Sequence, residues 1–169
     1  MIVGLSQPAV EARAKVLKLL LFDVDGVLTD GSVIIHGDGT ESKAFFIRDG
    51  SALVRARRQG LEIGLLSGRS SESTKQRATE LGIPIVIQGE NDKMAGYQRI
   101  LRDTGLSDEQ VAYMGDDLLD LGVLGRAGLS GAPADAIEDV RAAVDWVSLY
   151  PGGRGAVREF VDVILKARA

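Results

Sequence analysis

The chain contains no cysteine, which excludes disulfides and thiolate metal sites. It has a single histidine, His36, and a lone histidine makes a poor metal site. No apolar run approaches the length of a membrane span, and the first ten residues lack the basic, apolar and small-residue regions of a secretory signal. We therefore expect a cytoplasmic protein with no membrane partner, in keeping with the absence of cysteine.

The chain also lacks an excess of positive charge. It has 20 lysines and arginines against 24 aspartates and glutamates, a net charge of −4. Its basic residues are scattered along the sequence instead of forming a patch that would follow a phosphate backbone. These features argue against a nucleic-acid partner.

Apolar strand-like runs alternate with helix-like stretches along the 169 residues. This alternation predicts an α/β fold, a three-layer sandwich with a Rossmann-like parallel sheet. We expect one domain over residues 1–169. The predicted strands are 18–22, 62–66, 84–87, 111–114, 128–130 and 145–147. The predicted helices are 51–59, 71–81, 92–104, 118–125, 136–143 and 154–166, with a further short helix around 10–15.

One segment interrupts this alternation. Residues 32–36 and 40–47 are strand-like and flank Gly37, Asp38 and Gly39, a sequence typical of a β-hairpin turn. The hairpin, over about residues 31–47, directly follows the first strand. We expect it to project above the strand ends as a flap.

Two aspartates end the first apolar strand. Strand side chains alternate in direction, so Asp23 and Asp25 leave the strand on the same side. Gly26 lets the chain turn away without a Cβ near them. Such closely spaced carboxylates repel each other, and a divalent cation such as Mg²⁺ can offset that repulsion. The pair predicts a metal and phosphate site, although two aspartates can also simply cap a turn.

Three further signals occur where open α/β sheets bind ligands. Ser67, Gly68 and Arg69 follow a strand and offer a hydroxyl and amides for a phosphate oxygen. Lys93 begins a helix, where the helix dipole disfavours a cation unless an anion lies nearby. A second acidic cluster follows another strand at Asp116, Asp117 and Asp120. Each signal alone also fits an ordinary helix cap, a solvated lysine or an acidic first turn.

The order of these motifs, DxDGV, Ser, Lys and GDDxxD, resembles the haloacid dehalogenase superfamily over nearly the whole chain. The resemblance implies that Asp23 is the nucleophile and that Asp25 is the general acid and base. It implies that Ser67 and Lys93 hold the phosphate. Asp23, Asp25 through its main-chain carbonyl, and Asp116 would bind Mg²⁺, with Asp117 and Asp120 supporting them. The presence of Asp25, where the related ATPases carry threonine, favours phosphoester hydrolysis.

Members of this superfamily usually carry an inserted cap domain. Here roughly forty residues separate Asp25 from Ser67, too few for an independent domain beside the hairpin and one helix. A site without a cap would be open to water. We therefore expect the chain to self-associate, so that a neighbouring subunit covers the site through the hairpin.

Within the superfamily the chain is similar to the small tetrameric phosphatases that act on 3-deoxy-D-manno-octulosonate 8-phosphate. DVDGVLTDG at 23–31, KAFFIRDG at 43–50, SGR at 67–69 and GGRGAVRE at 152–159 carry this likeness. The likeness implies a small phosphorylated sugar acid as substrate, with the KAFFIRDG stretch as a strand that contacts the sugar. The implied substrate-binding residues are Asp25, Phe46, Ile47, Arg48, Asp49, Gly50, Gly68, Arg69, Arg77 and Lys93.

The choice of sugar rests on two positions. Arg69 favours the eight-carbon substrate, since relatives acting on nine-carbon keto-acid phosphates tend to carry glutamate there. Val54 departs from the pattern, because the basic residue usual at that position stands one step later, at Arg55. One helical step is about 100° of rotation, so Arg55 points elsewhere. The nine-carbon substrate or another small phosphate ester remains an alternative, as do a phospho-accepting receiver domain and an inactive scaffold protein.

Overall fold

The computed structural model describes residues 7–169 and is built around a six-stranded, fully parallel sheet. Its strand order is β5-β4-β1-β6-β7-β8. The strands of this sheet are β1 (Leu19–Phe22), β4 (Glu62–Leu66), β5 (Ile85–Ile87), β6 (Val111–Met114), β7 (Leu129–Ala132) and β8 (Trp146–Val147). All six predicted strands are confirmed, as is the α/β fold class.

In the described residues, 7–169, seven α-helices flank the sheet. They are α1 (Gln7–Ala14), α2 (Ile47–Arg58), α3 (Glu72–Leu81), α4 (Lys93–Thr104), α5 (Leu121–Leu124), α6 (Glu138–Ala143) and α7 (Ala156–Arg168). One apolar core lies between the sheet and α1, α2 and α7, and a second lies beneath α4, α5 and α6. The predicted helix over 118–125 is divided, since a 3₁₀ helix (Leu118–Asp120) precedes α5.

The first strand lies at the centre of the sheet. All four residues of β1 are buried, because strands pair with it on both edges and helices cover both faces. Chain order reverses there: β4 and β5 extend the sheet to one side, and β6 starts the other. Such a reversal opens a crevice at the carboxyl ends of the strands, where α/β proteins bind their ligands.

The hairpin is present but shorter than predicted. Its strands are β2 (Ile34–Ile35) and β3 (Glu41–Ser42), joined in antiparallel register. Residues 43–46 are irregular, and α2 starts at Ile47, four positions before the predicted residue 51. The prediction of the KAFFIRDG stretch as a strand was therefore wrong.

A tertiary contact explains the early start of α2. Asp49 is 1% exposed, and its Oδ1 accepts a hydrogen bond of 2.9 Å from the main-chain N–H of Arg158 near the start of α7. Docking on α7 thus fixes the first turn of α2. The local sequence does not indicate this contact with α7, and by sequence alone Ser51 looks like the better helix start.

No cap domain is inserted within residues 23–93, since only the hairpin, α2 and α3 occur between the strands there. In the part of the chain that the structure describes, no helix has the length and hydropathy of a membrane span.

Candidate active site

The turn after β1 places the first two aspartates at the crevice. The main-chain N–H of Val24 donates a 2.6 Å hydrogen bond to Asp23 Oδ1 and fixes that carboxylate. Gly26 has φ of +89°, and a Cβ on it would lie 2.0 Å from Asp116 Oδ2. Glycine is therefore required for the backbone conformation and for the space that the Asp116 carboxylate occupies.

The GGRG stretch before α7 supports this turn. A Cβ on Gly152 would lie 1.8 Å from the carbonyl oxygen of Gly26, so the two backbones touch. The N–H of Gly153 donates a 2.9 Å hydrogen bond to the carbonyl of Val27. The buried hydroxyl of Thr29 accepts from the Gly26 N–H at 3.3 Å. Residues far apart in sequence thus hold the loop that carries Asp23 and Asp25.

Lys93, the first residue of α4, reaches the centre of the site. Its ammonium lies 2.8 Å from Asp23 Oδ2 and 2.7 Å from Asp120 Oδ1, and the residue is 4% exposed. Burial by itself lowers the pKa of Lys93, but the two carboxylates outweigh burial and raise it overall. The lysine therefore remains a cation beside the predicted nucleophile.

Asp120 connects the lysine to the loop after β6. Its Oδ1 accepts a 2.5 Å hydrogen bond from the hydroxyl of Tyr113, and its Oδ2 accepts from the N–H groups of Asp116 and Asp117 at 3.0 and 3.1 Å. Burial and the charge of Asp120 raise the pKa of Tyr113 well above its usual range, so the phenol stays a donor. Sequence reasoning missed Tyr113, because a tyrosine in a buried strand looks like core.

Three carboxylates form a candidate cation site. Oxygens of Asp23, Asp116 and Asp120 lie within 4.8 Å of one another. Burial, followed by the neighbouring acids, raises the pKa of Asp23 to about 7 and that of Asp116 to about 8. Among the described residues, Asp116 Oδ1 is buried without a hydrogen-bond partner. An all-oxygen site with excess negative charge suits a hard divalent cation such as Mg²⁺, and its residues fit that ion.

Asp25 stands apart from this cluster. Its Oδ1 lies 2.7 Å from the ammonium of Lys43, which follows β3 of the hairpin. The side chain of Lys43 is 0% exposed, although the residue lies on a projecting segment. Sequence reasoning did not single out Lys43, and nothing near it in the sequence indicates the contact.

A cavity of about 190 Å³ is lined by all of the predicted catalytic and metal-binding residues. Ser67, Gly68 and Arg69, after β4, form its wall opposite the acidic cluster. The Ser67 hydroxyl accepts a 3.3 Å hydrogen bond from the Arg69 N–H, and the Arg69 guanidinium lies 2.9 Å from Glu41 Oε2. The full lining is Asp23, Asp25, Ser67, Gly68, Arg69, Lys93, Asp116, Asp117, Leu119 and Asp120.

Several predicted substrate-binding residues do not line this cavity. Phe46 and Arg48 line a larger groove of about 580 Å³ along α7. Ile47, Gly50 and Arg77 line a third groove, of about 390 Å³, between α2 and α3. Arg77 forms a 2.8 Å ion pair with Glu80 there, and Asp49 is buried under α7. Within this single chain these residues are not brought together with the catalytic set.

The structure also shows where Val54 and Arg55 lie, the two positions at which the chain differs from the usual family pattern. Val54 is partly buried and packs against the core. Arg55 forms an ion pair with Asp162 of α7, which holds it away from the cavity of the acidic cluster. Neither position lines the cavity of the acidic cluster, since Val54 lines the groove between α2 and α3.

Comparison with known proteins agrees with this geometry. Residues 86–159 match the haloacid dehalogenase-like hydrolase family. The chain is 39% identical over 165 residues to the 3-deoxy-D-manno-octulosonate 8-phosphate phosphatase of Salmonella typhimurium, covering 98% of this chain and 88% of that protein.

Two crystal structures are similar over almost the whole fold. That of 3-deoxy-D-manno-octulosonate 8-phosphate phosphatase from Yersinia pestis has a TM-score of 0.93 at 40% identity, covering 95% of this chain and 86% of that one. The structure of the same enzyme from Moraxella catarrhalis is a complex with a magnesium ion, a phosphate ion and KDO, the free sugar acid 3-deoxy-D-manno-octulosonate. It has a TM-score of 0.92 at 40% identity, covering 94% of this chain and 91% of that one. These likenesses favour an enzyme over a receiver domain or a scaffold protein. The chain belongs to the 3-deoxy-D-manno-octulosonate 8-phosphate phosphatase family of haloacid dehalogenase-like hydrolases.

Proposed function

We propose that this phosphatase hydrolyses 3-deoxy-D-manno-octulosonate 8-phosphate to the free sugar acid and phosphate, with Mg²⁺ as its cofactor. The observation that carries the proposal is the meeting of Asp23, Lys93, Ser67 and Asp116 around one cavity at the centre of the sheet. The relatives named for this reaction match over nearly the full chain.

The carboxylate of Asp23 attacks phosphorus in line, so an O–P bond to Asp23 forms as the ester O–P bond breaks. Asp25 gives its proton to the departing alkoxide. It then takes a proton from the water that attacks the aspartyl phosphate and releases phosphate. Lys93 and the Ser67 hydroxyl hold the phosphoryl oxygens, and the ammonium offsets their negative charge.

The carboxylates of Asp23 and Asp116, with the main-chain carbonyl of Asp25, would hold Mg²⁺. When bound, the ion supplies positive charge that relieves repulsion among the acids and stabilises the phosphoryl oxygens. Asp120 keeps the loop of Asp116 in place through its two N–H contacts.

Recognition of the sugar acid is assigned to Arg69. It lies on the cavity wall, and a guanidinium binds a carboxylate through two parallel hydrogen bonds. An incoming carboxylate would take the place of Glu41 beside it. Phe46, Arg48, Gly50 and the other residues of the outer grooves could then act only across a subunit boundary.

A neighbouring subunit in a homotetramer would cover the open site. Ile34 and Ile35 of the hairpin are 61% and 75% exposed. Leu119, which lines the cavity, is 61% exposed, and its chain neighbour Leu118 is 56% exposed. Apolar side chains grouped around a site are typical of an interface. Light scattering tests this part, and a stable monomer would contradict it.

The substrate is tested by phosphate release with Mg²⁺ from a panel of esters: the octulosonate 8-phosphate, a nine-carbon keto-acid phosphate and glucose 6-phosphate. We expect the highest kcat/KM for the octulosonate ester. A preference for the nine-carbon compound, or none at all, would overturn the assigned substrate. Asp103→Asn, an exposed change on α4, serves as the matched control for variants of the acidic residues.

A further inference from the structure

The ion pair between the hairpin and the second aspartate is unusual in its burial. The side chain of Lys43 is fully covered, and its ammonium lies 2.7 Å from Asp25 Oδ1. Burying a lysine is costly unless a carboxylate pairs with it. The hairpin therefore places its charge at this position and does not leave it in solvent.

Lys43 belongs to a row of alternating charges. Its ammonium also lies 3.8 Å from Glu41 Oε1, and Glu41 Oε2 lies 2.9 Å from the guanidinium of Arg69. The row thus runs from Asp25 through two hairpin residues to the cavity wall. Of the two acids that flank Lys43, Asp25 is the nearer, at 2.7 Å against 3.8 Å for Glu41.

The contact engages only one oxygen of Asp25. The ion pair is made through Oδ1, and Asp25 also lines the cavity of the acidic cluster. We infer that Lys43 is a positioning residue: it fixes the carboxylate of Asp25 through Oδ1 and directs Oδ2 to the oxygen of the leaving group. Proton transfer needs this placement, because small displacements of a reacting group lower the rate strongly.

The inference rests on the proposed function, in which Asp25 protonates the leaving alkoxide. Esters that differ in their need for this proton therefore test it. The octulosonate ester releases an alkoxide, which needs a proton. In contrast, 4-nitrophenyl phosphate releases a stable phenolate, which does not. The ratio kcat/KM reports only the steps up to departure of the alcohol, so hydrolysis of the aspartyl phosphate does not affect the comparison.

The experiment measures kcat/KM for both esters with Mg²⁺ in wild type, Lys43→Met and Lys43→Arg. We expect Lys43→Met to lose about a hundredfold on the octulosonate ester and less than about threefold on the nitrophenyl ester. Lys43→Arg, which keeps the cation, restores part of the loss. Lys75→Met is the matched control, since Lys75 is an exposed lysine on α3, and both ratios should remain at wild-type values.

Activity on the nitrophenyl ester shows that each variant is folded. A double-mutant cycle adds a second measurement: in an Asp25→Ala background, Lys43→Met should cost nothing further on the octulosonate ester. Equal losses on both esters, or an additive loss in the cycle, would overturn the inference while the proposed function stands. A wild type inactive on both esters would instead overturn the proposed function, and the inference with it.

Discussion

The acidic cavity and the outer groove along α7 both contain several charges, but the charges are held in different ways. In the cavity, Lys93 contacts two carboxylates and is 4% exposed. Along α7, Asp162 pairs with Arg55 and Arg158, and all three side chains are at least 40% exposed. Exposed pairs are screened by water, whereas buried charges depend on each partner. Burial, more than the number of charges, distinguishes the site.

The largest effect should come from Asp23→Asn. An amide cannot attack phosphorus, so we expect phosphate release to fall by about ten-thousandfold or more. The assay is phosphate release from the octulosonate ester with Mg²⁺. The control variant Asp103→Asn, measured in parallel, should keep the wild-type rate. Turnover retained by Asp23→Asn would refute the assigned nucleophile.

Arg69→Ala tests the cavity wall. Removing the guanidinium should raise KM for the octulosonate ester about tenfold to a hundredfold, because the carboxylate loses a charged partner. KM for 4-nitrophenyl phosphate, which has no carboxylate, should barely change. Arg102→Ala is the matched control, since Arg102 is an exposed arginine near the end of α4 with no assigned role. Equal KM values for the octulosonate ester in wild type and Arg69→Ala would exclude Arg69 from substrate recognition.

Metal binding should stabilise the protein more at alkaline pH. Asp23 and Asp116 have pKa values of about 7 and about 8, above the ordinary 3.8. The folded state therefore binds more protons than the unfolded chain between about pH 4 and pH 8, and the metal-free protein loses stability as pH rises through that window. We expect Mg²⁺ to raise the Tm by several degrees at about pH 8 and by less at about pH 5.5.

Thermal unfolding with chelator or with Mg²⁺ at the two pH values checks this prediction. Asp116→Asn removes one acid, so its metal-free Tm should depend less on pH, and Mg²⁺ should shift it less. A Mg²⁺ shift of the same size at both pH values would contradict the assigned cause.

The smallest effect should come from Arg55→Ala on α2. Its pairing with Asp162 is exposed, so its loss should lower the free energy of unfolding by at most about 1 kcal/mol. We expect kcat/KM on the octulosonate ester to change less than about twofold, because the side chain lies away from the cavity. A large loss would show that the α7 groove takes part in catalysis. Urea unfolding and phosphate release measure the two quantities.

The sequence predicted the sheet and the acids at its edge for one physical reason. Parallel strands place their carboxyl ends together, so Asp23, Ser67 and Asp116 had to converge once their strands were recognised. The partners that hold those groups could not be found in this way. Tyr113 and Lys43 act through contacts between distant segments, and neither has a local signature.

The same limit explains the error over residues 43–50. The apolar side chains of Phe45, Phe46 and Ile47 resemble a strand continuing from the hairpin. Burial of Asp49 against the start of α7 instead fixes a helical turn there. A packing interaction decided the conformation, and propensity alone could not anticipate it.

The close approach of Gly152 to Gly26 has a consequence for biosynthesis. Asp23 is translated before Gly152 and Gly153, so the loop of Asp23 lacks these backbone contacts until the chain has been translated past Gly153. A nascent polypeptide stalled before that point would have a complete set of acids on an unsupported loop. We expect such stalled chains to hydrolyse no ester, so that catalysis begins only after Gly153 has been translated.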